Sequence, residues 1–99
     1  MDNFYASKEM LKLIDKLEWA HIPYETRDIF GTIQVLYPSI KDRICDVVCH
    51  DFSYGHEKGL LEIMGLVKEK EIDDDEVEGY LTAEEVFDRI YTDYTNYTK

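Results

Sequence analysis

The stretch Arg43-Ile-Cys-Asp-Val-Val-Cys-His-Asp-Phe-Ser-Tyr-Gly-His-Glu-Lys-Gly-Leu-Leu-Glu-Ile-Met-Gly65 decides how this chain is organised. It contains both cysteines, two of the three histidines and three of the five glycines. Residues 43–50 have apolar side chains on both alternating faces, which predicts a central strand of a sheet. From Gly59 to Val67 the apolar residues fit helical spacing, which predicts a helix.

Upstream of this stretch, one helix and one hairpin are predicted. Residues 6–20 carry an apolar stripe at helical spacing, with Ser7 or Asn3 as the N-cap and Pro23 ending the segment. Residues 24–30 and 32–37 are short runs rich in β-branched and aromatic residues, joined at Gly31. These runs predict a β-hairpin that Pro38 closes.

Downstream, the run from Glu69 to Glu78 contains seven acids and is interpreted as a loop or a frayed helix end. Thr82-Ala-Glu-Glu85 is a capping box that opens a last helix over about 83–94. The predicted fold is one α+β domain over residues 1–99. It has an N-terminal helix, a three-stranded, mainly antiparallel sheet, and two C-terminal helices packed on one face. The acidic loop spans about 69–81, and 95–99 form a frayed tail. The predicted core comprises Leu13, Ile14, Leu17, Ile33, Val35, Val47, Leu61, Met64, Val86 and Ile90.

The charge of the chain is strongly negative and unevenly distributed. The formal net charge is −11, of which residues 1–50 contribute −2 and residues 51–99 contribute −9. Direct binding to a nucleic-acid backbone needs a Lys/Arg surface, so the charge argues against it. There is no run of about 18 apolar residues and no secretory signal at Met1, so we expect a cytoplasmic protein with no membrane segment and with free thiols.

Cysteine and histidine side chains are candidates for a zinc site or a thiol enzyme. Cys45, Cys49, His50 and His56 offer four zinc ligands. On a regular strand, however, the two cysteines lie about 13 Å apart and His50 points to the opposite face. Burial of both cysteines in the core is the alternative. An enzyme needs a pocket that gathers His50, His56, Asp46 and Glu62.

The loop that follows the predicted central strand is a candidate binding segment. Residues 51–59 include Gly55 and Gly59, which permit unusual backbone angles. The spacing of a phosphate-binding loop is absent. The segment is either a simple strand-to-helix connection or a partner-binding loop in which Phe52, Tyr54 and His56 supply contact area.

Residues 74–85 resemble the twelve-residue calcium loop of the EF-hand family. The resemblance implies carboxylate ligands from Asp74, Glu76 and Glu78, a glycine turn at Gly79 and a bidentate ligand at Glu85. A helix on each side of the loop is also implied. Glutamate at the third and fifth loop positions departs from the family pattern.

A broader resemblance concerns the segments from Asp51 to Leu66 and from Val77 to Phe87. Together they are similar to small phage and prophage proteins of Gram-positive bacteria, over about residues 20–90. The resemblance implies a mobile-element context and a bacterial host, and it carries over no catalytic or binding residue.

The sequence therefore predicts a non-enzymatic interaction protein with no catalytic residue, acting through a protein partner and not a membrane or nucleic acid. An acidic surface suits a basic, nucleic-acid-binding host protein, which it blocks electrostatically. Tyr91, Tyr94 and Tyr97 offer a surface for a homodimer or a partner. The alternatives are a calcium-binding module and a small enzyme or metal protein that uses the histidines and cysteines. The predicted partner-binding residues are Glu69, Glu71, Asp73, Asp74, Asp75, Glu76, Glu78, Tyr54 and His56.

Overall fold

The computed structural model describes residues 6–67 and 76–97. Within this part of the chain, two α-helices and five β-strands follow one another with one short 3₁₀ turn, His56–Lys58, between β3 and β4. The elements are α1 (Lys8–Trp19), β1 (Glu25–Ile29), β2 (Thr32–Tyr37), β3 (Cys45–Val48), β4 (Leu61–Met64), β5 (Val77–Leu81) and α2 (Ala83–Tyr97). The α+β class is as predicted.

The five strands form an antiparallel meander in the order β1-β2-β3-β4-β5. The register pairs Val35 with Val47 and Val47 with Ile63, so these side chains share one face of the sheet. Both helices cover this face. The core residues that they contribute are Met10, Leu13 and Leu17 from α1 and Ala83, Val86 and Ile90 from α2.

Both helices begin at the caps that the sequence predicts. The Ser7 hydroxyl accepts a hydrogen bond from the Met10 amide at 3.1 Å. Before α2, the Glu85 amide donates to the Thr82 hydroxyl, and the Thr82 amide donates to the Glu85 carboxylate at 2.8 Å. This reciprocal pair satisfies two helix-end donors, which confirms the capping box.

The β1–β2 hairpin and the central position of β3 are also confirmed. The hairpin turn consists of Phe30 and Gly31, both with positive φ (51° and 77°). Two left-handed residues match the right-handed twist of the flanking strands. The Asp28 carboxylate accepts the Gly31 amide at 3.0 Å and fixes the turn.

The prediction of a three-stranded sheet with two C-terminal helices is wrong, because the sheet has five strands and one helix follows it in the described residues. The predicted helix over 59–67 is β4. Leu61 and Ile63 point into the core, whereas Glu62 and Met64 alternate to the other face. Five apolar residues in a short run fit both periods. The backbone at Gly65 is not helical, since its φ is 90°. It passes so close to β3 that a Cβ at this position would lie 2.5 Å from the Ile44 carbonyl oxygen.

The acidic run from Glu69 to Glu78 also contains the start of a strand. Its last residues open β5, where Val77, Glu78 and Leu81 are buried. The register shifts by one residue between Leu61 and Ile63, and the additional residue lies in β5, between Glu78 and Leu81. Most of the predicted core is buried, but Met64 is exposed, and Ile14 and Ile33 are only partly buried at its margin.

Candidate protein-interaction site

Three aromatic rings meet at the end of the sheet formed by the β1–β2 turn. Continuing the β2–β3 register brings His50 opposite Thr32, next to the turn residue Phe30. The ring centroids of Phe30 and His50 lie 5.0 Å apart, those of Phe30 and Phe52 5.4 Å, and those of His50 and Phe52 6.1 Å. All three pairs are edge-to-face. We call Phe30, His50 and Phe52 the aromatic triad.

The two phenylalanine rings of the triad are open to solvent although they are large and apolar. Phe30 is 68% exposed and Phe52 is 77% exposed. Single exposed apolar side chains are common on protein surfaces, but contiguous ones mark interaction sites. Edge-to-face contacts fix the rings relative to one another without burying them.

The loop that carries Phe52 is held firmly against β4 and β5. The Tyr54 amide donates to the Glu62 carboxylate at 2.8 Å, and the Tyr80 amide donates to the Tyr54 carbonyl. The Tyr80 hydroxyl donates to the Glu57 carboxylate at 2.6 Å. Contact is so close that a Cβ on Gly79 would lie 2.2 Å from the Tyr54 Cβ. The loop is therefore a fixed part of the domain.

His50 is tied into the same loop through its ring and its backbone. Its Nδ1 accepts the Phe52 amide at 3.1 Å, so the neutral ring supplies the acceptor. Its backbone amide donates to the Ser53 hydroxyl, which in turn donates to the His50 carbonyl. Burial lowers the pKa of His50, and His56 acts in the same direction while Asp51 opposes it.

The two predicted contact residues of the loop, Tyr54 and His56, both reach the surface. Tyr54 is half exposed beside Gly79. His56 is partly exposed, and its Nε2 lies 3.2 Å from the Asp51 carboxylate. The His56 Nδ1 is buried and has no hydrogen-bond partner among the described residues. Among the described residues, neither side chain makes a ring contact with the triad.

The cysteines lie in the core, away from the histidines. Cys45 and Cys49 are both free and buried in the core. Burial raises the pKa of the Cys45 thiol to about 12, and it raises the pKa of Cys49 as well. His50 belongs to the aromatic triad and not to the core, as the alternation of side chains along a strand predicts. In the described residues no three His, Cys, Asp or Glu side chains gather as metal ligands.

The carboxylates of the EF-hand-like segment have structural partners where they are described. Glu78 forms a bidentate ion pair with Arg89 of α2, at 2.5 and 3.0 Å. Glu85 caps α2, and Asp74 lies outside the described residues. The helix that the resemblance implies before the loop is β4, and β5 occupies the middle of the loop. Calcium binding stays a prediction, and in the part of the chain that the structure describes, strands stand on the N-terminal side of the loop and within it.

The predicted acidic partner-binding residues are only partly described. Glu69, Glu71, Asp73, Asp74 and Asp75 lie outside the described residues. Glu76 is exposed immediately before β5, whereas Glu78 is buried against Arg89. Glu78 therefore belongs to the packing between β5 and α2 and does not present its carboxylate to a partner.

The enzyme alternative requires His50, His56, Asp46 and Glu62 in one pocket. Three surface depressions on the described part of the chain lie along α1 and α2, and the four residues line none of these three. Glu62 accepts the Tyr54 amide, and Asp46 lies 3.3 Å from Arg43. Each carboxylate therefore has a structural contact of its own.

Phe30 and Trp19 are exposed aromatic residues that the sequence-based site prediction does not name. Phe30 completes the triad. Its position next to Gly31, at the predicted hairpin turn, is the feature of the sequence that could have identified it as exposed. Trp19 is 82% exposed at the end of α1, beside a depression that Phe87 also lines. Of the C-terminal tyrosines, Tyr91 stacks on Phe87 at 5.7 Å and Tyr94 packs against the core.

Neither helix in residues 6–67 and 76–97 combines the length and the apolar character that crossing a bilayer requires. Comparisons of the chain with protein-family models, with curated proteins and with solved structures find no significant match.

Proposed function

We propose that this chain is a non-enzymatic interaction protein that binds a basic, nucleic-acid-binding protein of a bacterial host. In this proposal the protein is of phage or prophage origin and acts in the host cytoplasm. The observation that supports it best is the aromatic triad, whose two phenylalanines form an exposed apolar surface on a chain of net charge −11.

The negative charge and the aromatic triad have different roles in the proposed complex. Negative charge attracts a basic surface over a range set by the Debye length, about 10 Å at 0.1 M salt. Aromatic side chains supply the contact area that dominates most interfaces. A basic surface occupied in this way is no longer available to nucleic acid, so the protein acts as a competitor.

Affinity capture from a bacterial lysate at low and high salt tests the proposal. The wild-type chain is compared with a Phe30→Ser/Phe52→Ser variant and with Trp19→Ser, which removes an exposed aromatic residue elsewhere. We expect the wild type and Trp19→Ser to recover a nucleic-acid-binding protein at low salt only. Adding DNA should displace the chain from it.

Two results contradict the proposal. Equal capture by the Phe30→Ser/Phe52→Ser variant shows that the triad is not the contact surface. Capture that is unchanged at high salt, or that DNA does not displace, shows that the partner is not held through a basic nucleic-acid-binding face.

A further inference from the structure

We infer that the aromatic triad binds the guanidinium group of an arginine side chain on the partner, a specificity that rests on the function proposed above. The rings, their spacing and the carboxylates beside them favour a flat cation over a compact one.

The spacing of the rings excludes a cation held between them. A cation enclosed by two ring faces needs roughly 7 Å between the rings, twice a van der Waals contact of about 3.5 Å. The three centroid distances are 5.0, 5.4 and 6.1 Å, so the rings already touch one another. A caged ammonium or methylated ammonium group therefore does not fit.

The outer ring faces remain available. Three edge-to-face contacts occupy at most three of the six faces of the triad. Phe30 and Phe52 keep most of their surface exposed. A planar guanidinium stacks flat on such a face and is more weakly hydrated than an ammonium group, so it loses less on contact.

Carboxylates within two residues of the phenylalanines in the chain supply the matching charge. Asp51 lies between His50 and Phe52 in the chain, and its side chain is 82% exposed. Asp28 lies in the hairpin beside Phe30, with one oxygen accepting the Gly31 amide. A guanidinium on a ring presents its N–H donors at the rim, where a carboxylate accepts them.

The site is also fixed before binding. Phe30 stands on a two-residue turn with left-handed backbone, and Phe52 stands on a loop bonded to β4 and β5. A fixed surface loses little conformational freedom when a ligand binds, which favours affinity.

The experiment compares two synthetic peptides of equal length and charge, one of arginine and one of lysine residues, by calorimetric titration at fixed low salt. Because the charge is the same, the long-range attraction to an acidic protein is the same for both peptides. We expect the arginine peptide to bind about fivefold more tightly or better. Phe30→Ala/Phe52→Ala should reduce its affinity to that of the lysine peptide, whereas Trp19→Ala should keep the preference.

Circular dichroism establishes that each variant is folded, and both phenylalanines are exposed enough for replacement to leave the core intact. Equal affinity of the two peptides, or a preference that survives Phe30→Ala/Phe52→Ala, overturns the guanidinium assignment. Neither result affects the lysate capture that tests the proposed function. Conversely, an arginine preference lost in the double variant supports the assignment even where capture finds no nucleic-acid-binding protein.

Discussion

The ion pair between Glu78 and Arg89 allows the clearest test of how the second half of the chain folds. It joins β5 to α2 through two hydrogen bonds of 2.5 and 3.0 Å. The side chains are only 11% and 8% exposed, respectively. Glu78→Leu leaves the Arg89 guanidinium buried without its carboxylate, and Arg89→Met leaves the carboxylate without its cation.

The expected cost follows from this burial. Removal of one partner of a buried pair costs about 3–5 kcal/mol, because the remaining charge stays desolvated. Small domains have free energies of unfolding of about 5–15 kcal/mol, so each single variant loses a large part of the total. Replacing both partners with apolar side chains is often nearly neutral. The double variant should therefore be more stable than either single variant.

Urea unfolding followed by circular dichroism gives the four free energies of this cycle, provided that the denaturant slope is unchanged. The matched control is Lys12→Ala, which removes the exposed pair with Glu9 and should cost less than about 1 kcal/mol. A cost below about 1 kcal/mol for Glu78→Leu, or strictly additive costs in the double variant, would refute the reasoning. Glu78 would then be available as the acidic contact or calcium ligand that its sequence context predicts.

Three further predictions concern the loop, the thiols and the histidine of the triad. Gly79→Ala places a Cβ 2.2 Å from the Tyr54 Cβ, so it should cost about 2 kcal/mol or more and increase amide exchange in the loop; unchanged exchange would contradict this. Cys45 and Cys49 should react with a thiol reagent only after unfolding, because burial raises both pKa values; reaction at the rate of a free thiol in the native state would show otherwise. Because the pKa of His50 is lowered in the folded protein, the unfolded chain binds a proton at this residue first as the pH falls. The contribution of His50 to the free energy of unfolding is therefore present above pH 6.5. It is lost as the pH falls from 6.5 through the lowered pKa of the folded protein. Melting temperatures between neutral pH and about pH 5 should fall less for His50→Asn, which keeps an acceptor for the backbone amide without titrating there, and equal falls would count against the prediction.

Local signals predicted the parts of this fold that depend on local interactions. The caps at Ser7 and Thr82 and the turn at Gly31 are each formed by residues within three positions of one another. Such contacts leave a readable pattern in the sequence. The α1 helix, the hairpin and the start of α2 are accordingly where the sequence predicts them.

The β4 and β5 strands were missed because their evidence is not local. β4 is four residues long, too short to distinguish a period of two from one of 3.6. Glu78 counts as a surface acid in any local reading, and only its pairing with Arg89, eleven residues later, makes it a buried residue. The aromatic triad depends on sheet register in the same way, since Phe30 lies twenty residues from His50 in the chain.

The negative charge and the aromatic triad contribute differently to the choice of a binding partner. Negative charge acts over distance and attracts any basic surface, so it governs chiefly the rate of encounter. Phe30 and Phe52 act only on a partner in contact with them, and their orientation is fixed by the hairpin turn and by the bonds from the loop to β4 and β5. Contact groups of this kind govern how long a complex lasts. Acidic composition is therefore the reason to expect a basic partner, whereas the triad is the surface that distinguishes one basic partner from another.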